Sequence, residues 1–375
     1  MATSSPDSAS SSSDRWLRGL SLVLLATVAV SLQNVITRIA LSPKAIPILG
    51  GIINLGGYID PTADKMQVTL LELLLRISFV VPLSWLIMPV FKPGAWGEAR
   101  SVILGSDRML KLQIVAAGIF LFLSQIGIYL SIANIGPAMA ITIFFTYPTV
   151  TTLLAWKLFS DRPSLQQWLA IILIYIGCAW LAFKPIDQNL FCPPICVKHP
   201  PSAAALPPAP NQTPTPNASN APTIPKPATQ SNPIIGYLAA IISSIVFALE
   251  GIIAQSCFSK INPATFTALV FTVEWLVLMA VTLPLIHVDI NQGLILMGGL
   301  LCLTTFSTYL FSNFGIKAIG AASTAILVSS RPAVTSILAL LIIGDTLLPE
   351  QWGSIIVVTA GVVLMNVAKT MKKPT

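Results

Sequence analysis

Read by its hydrophobic and polar positions, the chain falls into ten long apolar runs, with one long polar interruption in the middle. The runs lie at about 17–39, 66–91, 112–135, 137–159, 164–183, 234–258, 264–286, 293–316, 321–343 and 352–368. Most reach the ~18–20 apolar residues that a helix needs to cross a bilayer. Each run therefore predicts a membrane-spanning helix. Ser164 and Gln167 stand in capping-box spacing at the start of the fifth. Residues 41–65 hold a short apolar piece, AIPILGGIINLGGYI, which is too short to span and contains four Gly and a Pro, so an interfacial segment or a cap is expected there.

The fourth and fifth runs return in the second half of the chain. The stretch IGPAMAITIFFTYPTVTTLLAWKLFSDRPSLQQWLAIILIYIG (135–177) aligns without a gap to IGAASTAILVSSRPAVTSILALLIIGDTLLPEQWGSIIVVTAG (319–361), 184 residues later, with fourteen of forty-three positions identical. Shared apolar composition explains chance matches among Leu, Ile and Ala. It does not place Gly136/Gly320, Pro148/Pro332, Asp161/Asp345, Gln167/Gln351, Trp168/Trp352 and Gly177/Gly361 at one offset. The expected architecture is an all-α membrane protein with two five-helix repeats, at 17–184 and 233–368. A Ser-rich disordered tail (1–16) precedes them, a Pro-rich disordered linker (185–232) joins them, and a basic tail (369–375) follows. A signal peptide is the rival reading of the first run, but the run is long and no clear small-x-small cleavage site follows it.

Composition agrees, since only 9% of the 375 residues are charged, against about 25% in soluble domains. The net charge of +7 does not imply nucleic acid, because the basic residues are dispersed between apolar runs. With the N-terminus in the cytoplasm, thirteen Lys and Arg fall in inside segments and six in outside segments, while Arg76 and Arg331 fall within spans. The positive-inside rule thus favours both termini inside. An odd number of spans per repeat then makes the fourth run descend and its counterpart, the ninth, ascend. The repeats are expected to be inverted, an arrangement found in secondary transporters.

Polar residues inside the spans mark faces turned toward protein or water. Stripes occur at Thr27, Ser31, Asn34 and Arg38; at Gln125 and Tyr129; at Thr142, Thr146 and Thr149; at Ser243, Glu250 and Cys257; at Thr305, Tyr309, Ser312 and Asn313; and at Thr324, Arg331 and Thr335. They predict a central polar cavity among spans one, three, four, six, eight and nine, with five and ten outside. Ser and Thr also glue helices together without any cavity. Arg331, in mid-span, is expected to meet an anionic group of a substrate or to pair with a carboxylate. Glu250 and Glu274 are candidates for a countercharge or a proton-coupling site. Asn34, Gln125, Tyr129, Tyr147 and Asn313 are candidates for neutral hydrogen bonds to substrate. Glu72 and Arg76, one helical turn apart, are expected to neutralise each other. Pro148 and Pro332 each remove a backbone donor, which suits a gate or a packing kink.

No cofactor or metal is implied. GxxxxGK[ST], HExxH and GxSxG are absent, His199 lies in the linker and His287 at a span end. Cys192 and Cys196 are compatible with a small disulfide loop or with free thiols, and Asn211 and Asn217 begin glycosylation sequons.

In its -IGxA- turns, mid-helix prolines, small acidic motifs (FSDRPSLQQW, IGDTLLPEQW) and Gly-bearing fifth helices, the chain resembles the EamA family of the drug/metabolite transporter superfamily. The segment GIYLSIANIGPA resembles that family's Tyr-x-x-Ala-Leu segment, with Leu replaced. The resemblance implies a ten-helix carrier in the cell membrane, with a central cavity that moves amino acids, metabolites or drugs. The expected partners are a small-molecule substrate and the lipid bilayer, with proton coupling and a homodimer as further expectations. An obligate exchanger and a non-transporting scaffold or sensor using the linker are the alternatives.

Overall fold

The computed structural model describes residues 6–40, 45–48, 53–57, 65–135, 140, 143–160, 163–183, 233–282 and 292–344, with scattered helical residues between 352 and 364. The linker at 185–232, Cys192, Cys196, Asn211, Asn217, His199, His287 and the basic tail lie outside the described residues.

The apolar runs form the helices. These are α1 (Pro6–Ala40), α2 (Lys65–Phe91), α3 (Ala95–Leu104), α4 (Arg108–Ile135), α5 (Tyr147–Phe159), α6 (Leu165–Phe183), α7 (Pro233–Cys257), α8 (Pro263–Thr282), α9 (Gln292–Ile319), α10 (Ala321–Val328) and α11 (Arg331–Ile343). Six of them are long and apolar enough to cross a membrane, and the bent pair α10–α11 makes a seventh. Leu86 and Val90 on α2 and Leu165 on α6 are more than 70% exposed, as side chains facing lipid are. The expected cap at the start of α6 is made. Ser164 N–H donates to Gln167 Oε1 at 2.8 Å and Gln167 N–H donates to Ser164 Oγ at 3.2 Å.

Three features differ from the sequence expectation. The helix of the first span begins at Pro6, within the tail expected to be disordered. Proline suits a first turn, and an established helix extends by one hydrogen bond per added residue. The fold is not wholly helical, because β1 (Ala45–Ile48) and β2 (Ile53–Gly56) pair antiparallel, with Ala45 opposite Gly56 and Ile48 opposite Ile53. The β-branched Ile46, Ile48 and Ile53 favour extended backbone. Leu55 of β2 packs on Val35, Ile39 and Ala339, so it covers one end of α1 and α11. Finally, α3 forms between the second and third spans, with its N-cap Gly94 in the left-handed region at φ 81°.

Helix pairing is reciprocal between the halves. The first span of each half packs on the third span of the other, as α1 on α9 and α7 on α4. The second spans pack together as α2 on α8, and the fourth as α5 on α10. The first spans also touch the opposite fourth spans, as α1 on α11 and α7 on α5. Small residues allow these crossings. A Cβ at Gly127 of α4 would sit 3.0 Å from Ser243 Cβ and 3.2 Å from the Ala239 carbonyl on α7. Beside it, Ser243 Oγ donates to the Ser124 carbonyl at 2.6 Å.

The repeat is also visible in local geometry. A turn at 145–146 precedes α5, and a turn at 329–330 precedes α11. Thr146 N–H bonds to Ile143 O and Val150 N–H to Thr146 O, while 184 residues on Ser330 N–H bonds to Leu327 O and Val334 N–H to Ser330 O. The two helices end alike in left-handed caps, Ser160 at φ 56° and Gly344 at φ 79°.

Candidate functional site: broken helices and a buried charge cluster

Pro148 and Pro332 occupy the first turns of α5 and α11, where a missing N–H is tolerated. Each expected kink position thus coincides with a break in its span, and α10 and α11 are bent by 42°. The residue just before each proline crosses to the other half. Tyr147 OH donates to the Ala325 carbonyl of α10 at 3.3 Å, a carbonyl that also accepts Ser329 Oγ at 2.8 Å. Its repeat equivalent, Arg331, holds its guanidinium 5.4 Å from the ring centroid of Phe145. A wall of aromatic rings lines the break: Tyr147 meets Phe247 edge-on at 5.0 Å and Phe144 at 5.3 Å. The stripe of α1 docks on the opposite side, with Ser31 Oγ donating to the Arg331 carbonyl at 3.2 Å and Asn34 Nδ2 to Thr335 Oγ1 at 3.3 Å. Thr146 Oγ1 lies 2.8 Å from Ser244 Oγ on α7.

The ion pairs among the described residues do not include Arg331. The charge cluster forms elsewhere, where α2, α4 and α8 meet. Arg76 and Glu72, one turn apart on α2, are each 4% exposed, with Arg76 Nε 3.7 Å from Glu72 Oε1. Arg76 Nη2 donates to Gln125 Oε1 at 3.2 Å and Tyr129 OH at 3.4 Å, both on α4. Gln125 Nε2 in turn donates to Glu274 Oε1 of α8 at 2.5 Å, and Glu274 is fully buried. Gln125 and Tyr129 lie four residues apart and share one helical face, so a single face of α4 receives the guanidinium. Both Glu72 oxygens, Glu274 Oε2 and Arg76 Nε have no hydrogen-bond partner. Native interiors pair nearly all such atoms, and exceptions concentrate at working sites.

The sequence singles out Gln125 and Tyr129 as one stripe and Glu274 as a mid-span charge, and it pairs Glu72 and Arg76 only with each other. It also left spans two and seven out of the polar set. Comparing charges at equal depth across different spans would have shown Arg76 as the cation available to Glu274. Glu250 is buried on α7, within electrostatic reach of Glu274. Tyr309 of α9, not singled out beyond its stripe, lies within electrostatic reach of Glu274, Glu250, Arg76 and Arg331, and its ring meets Phe271 edge-on at 5.1 Å. Asn313 stands apart, donating to Thr267 Oγ1 at 2.8 Å. Among the described residues no group of three or more His, Cys, Asp and Glu is placed to hold a metal.

At the end of the bundle reached by α2 and the start of α8, polar contacts join the halves. Glu98 of α3 accepts Lys92 Nζ at 2.5 Å, Asn262 N–H at 3.2 Å and Thr265 Oγ1 at 2.5 Å. Partial burial pushes the Glu98 carboxyl up. Hydrogen bonds from Lys92, Thr265 and Asn262 outweigh that and hold it below its ordinary value. Lys260 Nζ donates to Asp107 Oδ2 at 2.7 Å, which with the Leu110 N–H keeps the exposed Asp107 carboxyl low.

Comparison with known proteins bears on the family and the fold. The profile described as the EamA-like transporter family matches residues 234–367. A protein of Synechocystis sp., named an uncharacterized transporter, is 32% identical over 359 residues, covering 94% of each chain. A crystal structure superposes with a TM-score of 0.60 at 12% identity, covering 96% of this chain and 99% of its own, which supports the fold alone. The chain is a multi-pass membrane transporter that belongs to the EamA-like transporter family.

Proposed function

We propose that the protein is a secondary active carrier that exports a small polar metabolite, amino acid or drug across the plasma membrane by alternating access. In this reading ten helices form two inverted five-helix halves with both termini in the cytoplasm. The observation that carries it is the pair of helix breaks at equivalent positions, each projecting its N-terminal residue, Tyr147 or Arg331, onto the other half. Broken spans with facing termini near mid-membrane are the binding-site device of inverted-repeat transporters. The reciprocal packing of first, third and fourth spans supports the two-fold relation, and the excess of inside basic residues supports the orientation.

Arg331 then contacts an anionic group of the substrate. A mid-span Arg costs roughly 2.5–3.5 kcal/mol on insertion scales, and here its guanidinium lies over the Phe145 ring and takes part in none of the ion pairs among the described residues. Asn34 and Tyr147 flank the same break, while Gln125 and Tyr129 stand beside the carboxylates. Glu250 and Glu274 supply the countercharge or take up a proton during the cycle. The Glu98 and Asp107 contacts close the cytoplasmic end in this conformation and part when that end opens.

The test is flux in proteoliposomes, with and without a pH gradient. Arg331→Ala is expected to lower substrate affinity and transport rate by at least tenfold while the purified protein stays monodisperse and cooperatively folded. If both parameters are unchanged, the assignment of Arg331 is wrong.

A further inference from the structure

We infer that α3 is a membrane-surface helix whose exposed face recruits anionic lipid, with Arg100 and Arg108 on headgroup phosphates and Trp96, Ile103 and Leu104 at the boundary with the acyl chains. The inference concerns the membrane around the protein and does not depend on what is carried. Chain connectivity is the first ground. Residues 92–94 alone separate α3 from the end of α2, and residues 105–107 alone separate it from the start of α4. Both neighbours are long and apolar enough to cross a membrane. Three residues reach about 10 Å even when fully extended. Both ends of α3 therefore stay beside the ends of two spans.

Orientation is the second ground. Ala95, Ala99 and Val102 are buried, and α3 packs on α8. Trp96 lies against Trp85 of α2, with ring centroids 5.1 Å apart, and Glu98 is tied to Asn262 and Thr265. These contacts fix which side of the helix is left over. That side carries Trp96, Arg100, Ile103 and Leu104, at i, i+4, i+7 and i+8, and all four are exposed. Its three large apolar side chains are each more than half exposed. Headgroups and the first acyl carbons accommodate such a face, and tryptophan favours that layer. On α4, Arg108 ends an exposed stripe with Leu112 and Val115, again at i, i+4 and i+7.

Charge is the third ground, and it selects the lipid. Glu98 is engaged by Lys92 and Asp107 by Lys260. Arg100, Arg108 and Lys111 keep their charge outside the ion pairs of the described residues. An arginine meets a phosphate with two parallel N–H donors. Each basic residue near an anionic membrane surface adds attraction. A zwitterionic headgroup offers the same phosphate beside an ammonium that cancels its charge, so three uncompensated cations prefer anionic lipid.

The test places full-length protein in phosphatidylcholine nanodiscs that contain a small fraction of either phosphatidylglycerol or phosphatidylcholine with brominated acyl chains. Bromine quenches tryptophan on contact, and subtracting the signal of Trp96→Phe isolates Trp96. Brominated phosphatidylglycerol is expected to quench Trp96 at least twofold more than brominated phosphatidylcholine at the same fraction. The excess should vanish when Arg100→Gln and Arg108→Gln are combined, and persist in Lys157→Gln, an exposed basic residue on α5. Equal quenching by the two lipids overturns the inference, and so does an excess that survives in the double variant. Quenching by neither lipid puts α3 in water and overturns it as well. Should Trp96→Phe fail to fold, thermal midpoints in detergent decide, because binding to the native state stabilises it by mass action. Phosphatidylglycerol alone should then raise the midpoint of the unaltered protein, and the double arginine variant should need at least tenfold more of it. A rise with phosphatidylcholine of the same size, or an unshifted response in the double variant, overturns the inference. No readout involves flux, so failure here leaves the carrier reading standing, and a protein without flux can still pass.

Discussion

Arg76 shows how much a single residue can hold when charge is buried. Its guanidinium faces Glu72 on its own helix and hydrogen-bonds Gln125, which holds Glu274 on the second half. Removing one partner of a buried ion pair leaves an uncompensated charge, which costs about 3–5 kcal/mol in well-studied cases. Arg76→Gln is therefore expected to lower stability by about that amount, read as a fall in the thermal midpoint in detergent. Adding Glu72→Gln should recover part of it, because the stranded charge is then removed as well. Additive losses in the double variant would mean that the two groups do not act as a pair. At this scale the sequence marks Gln125 and Tyr129 as one stripe and Arg331 and Glu274 as mid-span charges. Arg331, Glu274, Gln125 and Tyr129 were all legible from their place on apolar runs. The partners of Arg76 were not, because a one-turn ion pair satisfies a reading of the α2 sequence before any other helix is considered.

At the scale of elements, prolines and glycines decide most. Proline at 332 cannot donate to the carbonyl four residues earlier, and α10 and α11 separate just before it. Pro332→Ala restores that donor. We expect the thermal midpoint to be unchanged or raised while substrate exchange slows, since a straightened span would carry Arg331 away from Phe145. Unchanged exchange in a folded variant would reduce the break to a packing feature. At the crossing of α4 and α7, Gly127→Val would press branched carbons on Ser243 and the Ala239 carbonyl. Overpacking of this kind typically costs about 1–3 kcal/mol, and a thermal midpoint equal to that of the unaltered protein would contradict the close approach. Helix positions and the Ser164 cap were readable because span length and capping are local properties. The pairing of strands 45–48 and 53–56 was not, since short apolar strands take their conformation from what they pair with and cover.

Across the whole molecule, the contacts at Glu98 and Asp107 tie the first half to the second. Both carboxyls are held below their ordinary values by donors they meet only in the folded chain. A depressed folded value means that the stabilisation is present above the unfolded value, roughly 4 for carboxyls, and is lost as pH falls through the lower folded value. Stability should accordingly decline below about pH 4, and Glu98→Gln should weaken that dependence, as thermal midpoints measured across a pH series would reveal. A pH profile identical in Glu98→Gln would place the acid sensitivity elsewhere. In the carrier reading the same variant should also shift the protein toward opening at that end, seen as faster labelling of a cysteine introduced at Thr265. Deleting residues 190–230 is expected to leave flux intact, whereas a sensor working through the linker would lose its response.

The sequence by itself determined the membrane class, the positions of most spans, the internal repeat and the family resemblance. These follow from length, hydropathy and periodic identity, which are written along one dimension. Tertiary structure alone decided that Arg76 and not Arg331 gathers the carboxylate of Glu274, and that Tyr147 and Arg331 each reach across to the opposite half. It also decided that Glu98 ties α3 to the start of α8. Each of these is a pairing between helices far apart in the chain. In an apolar interior a polar group bonds to whatever donor or acceptor packing brings within about 3 Å, and the order of residues does not state that distance.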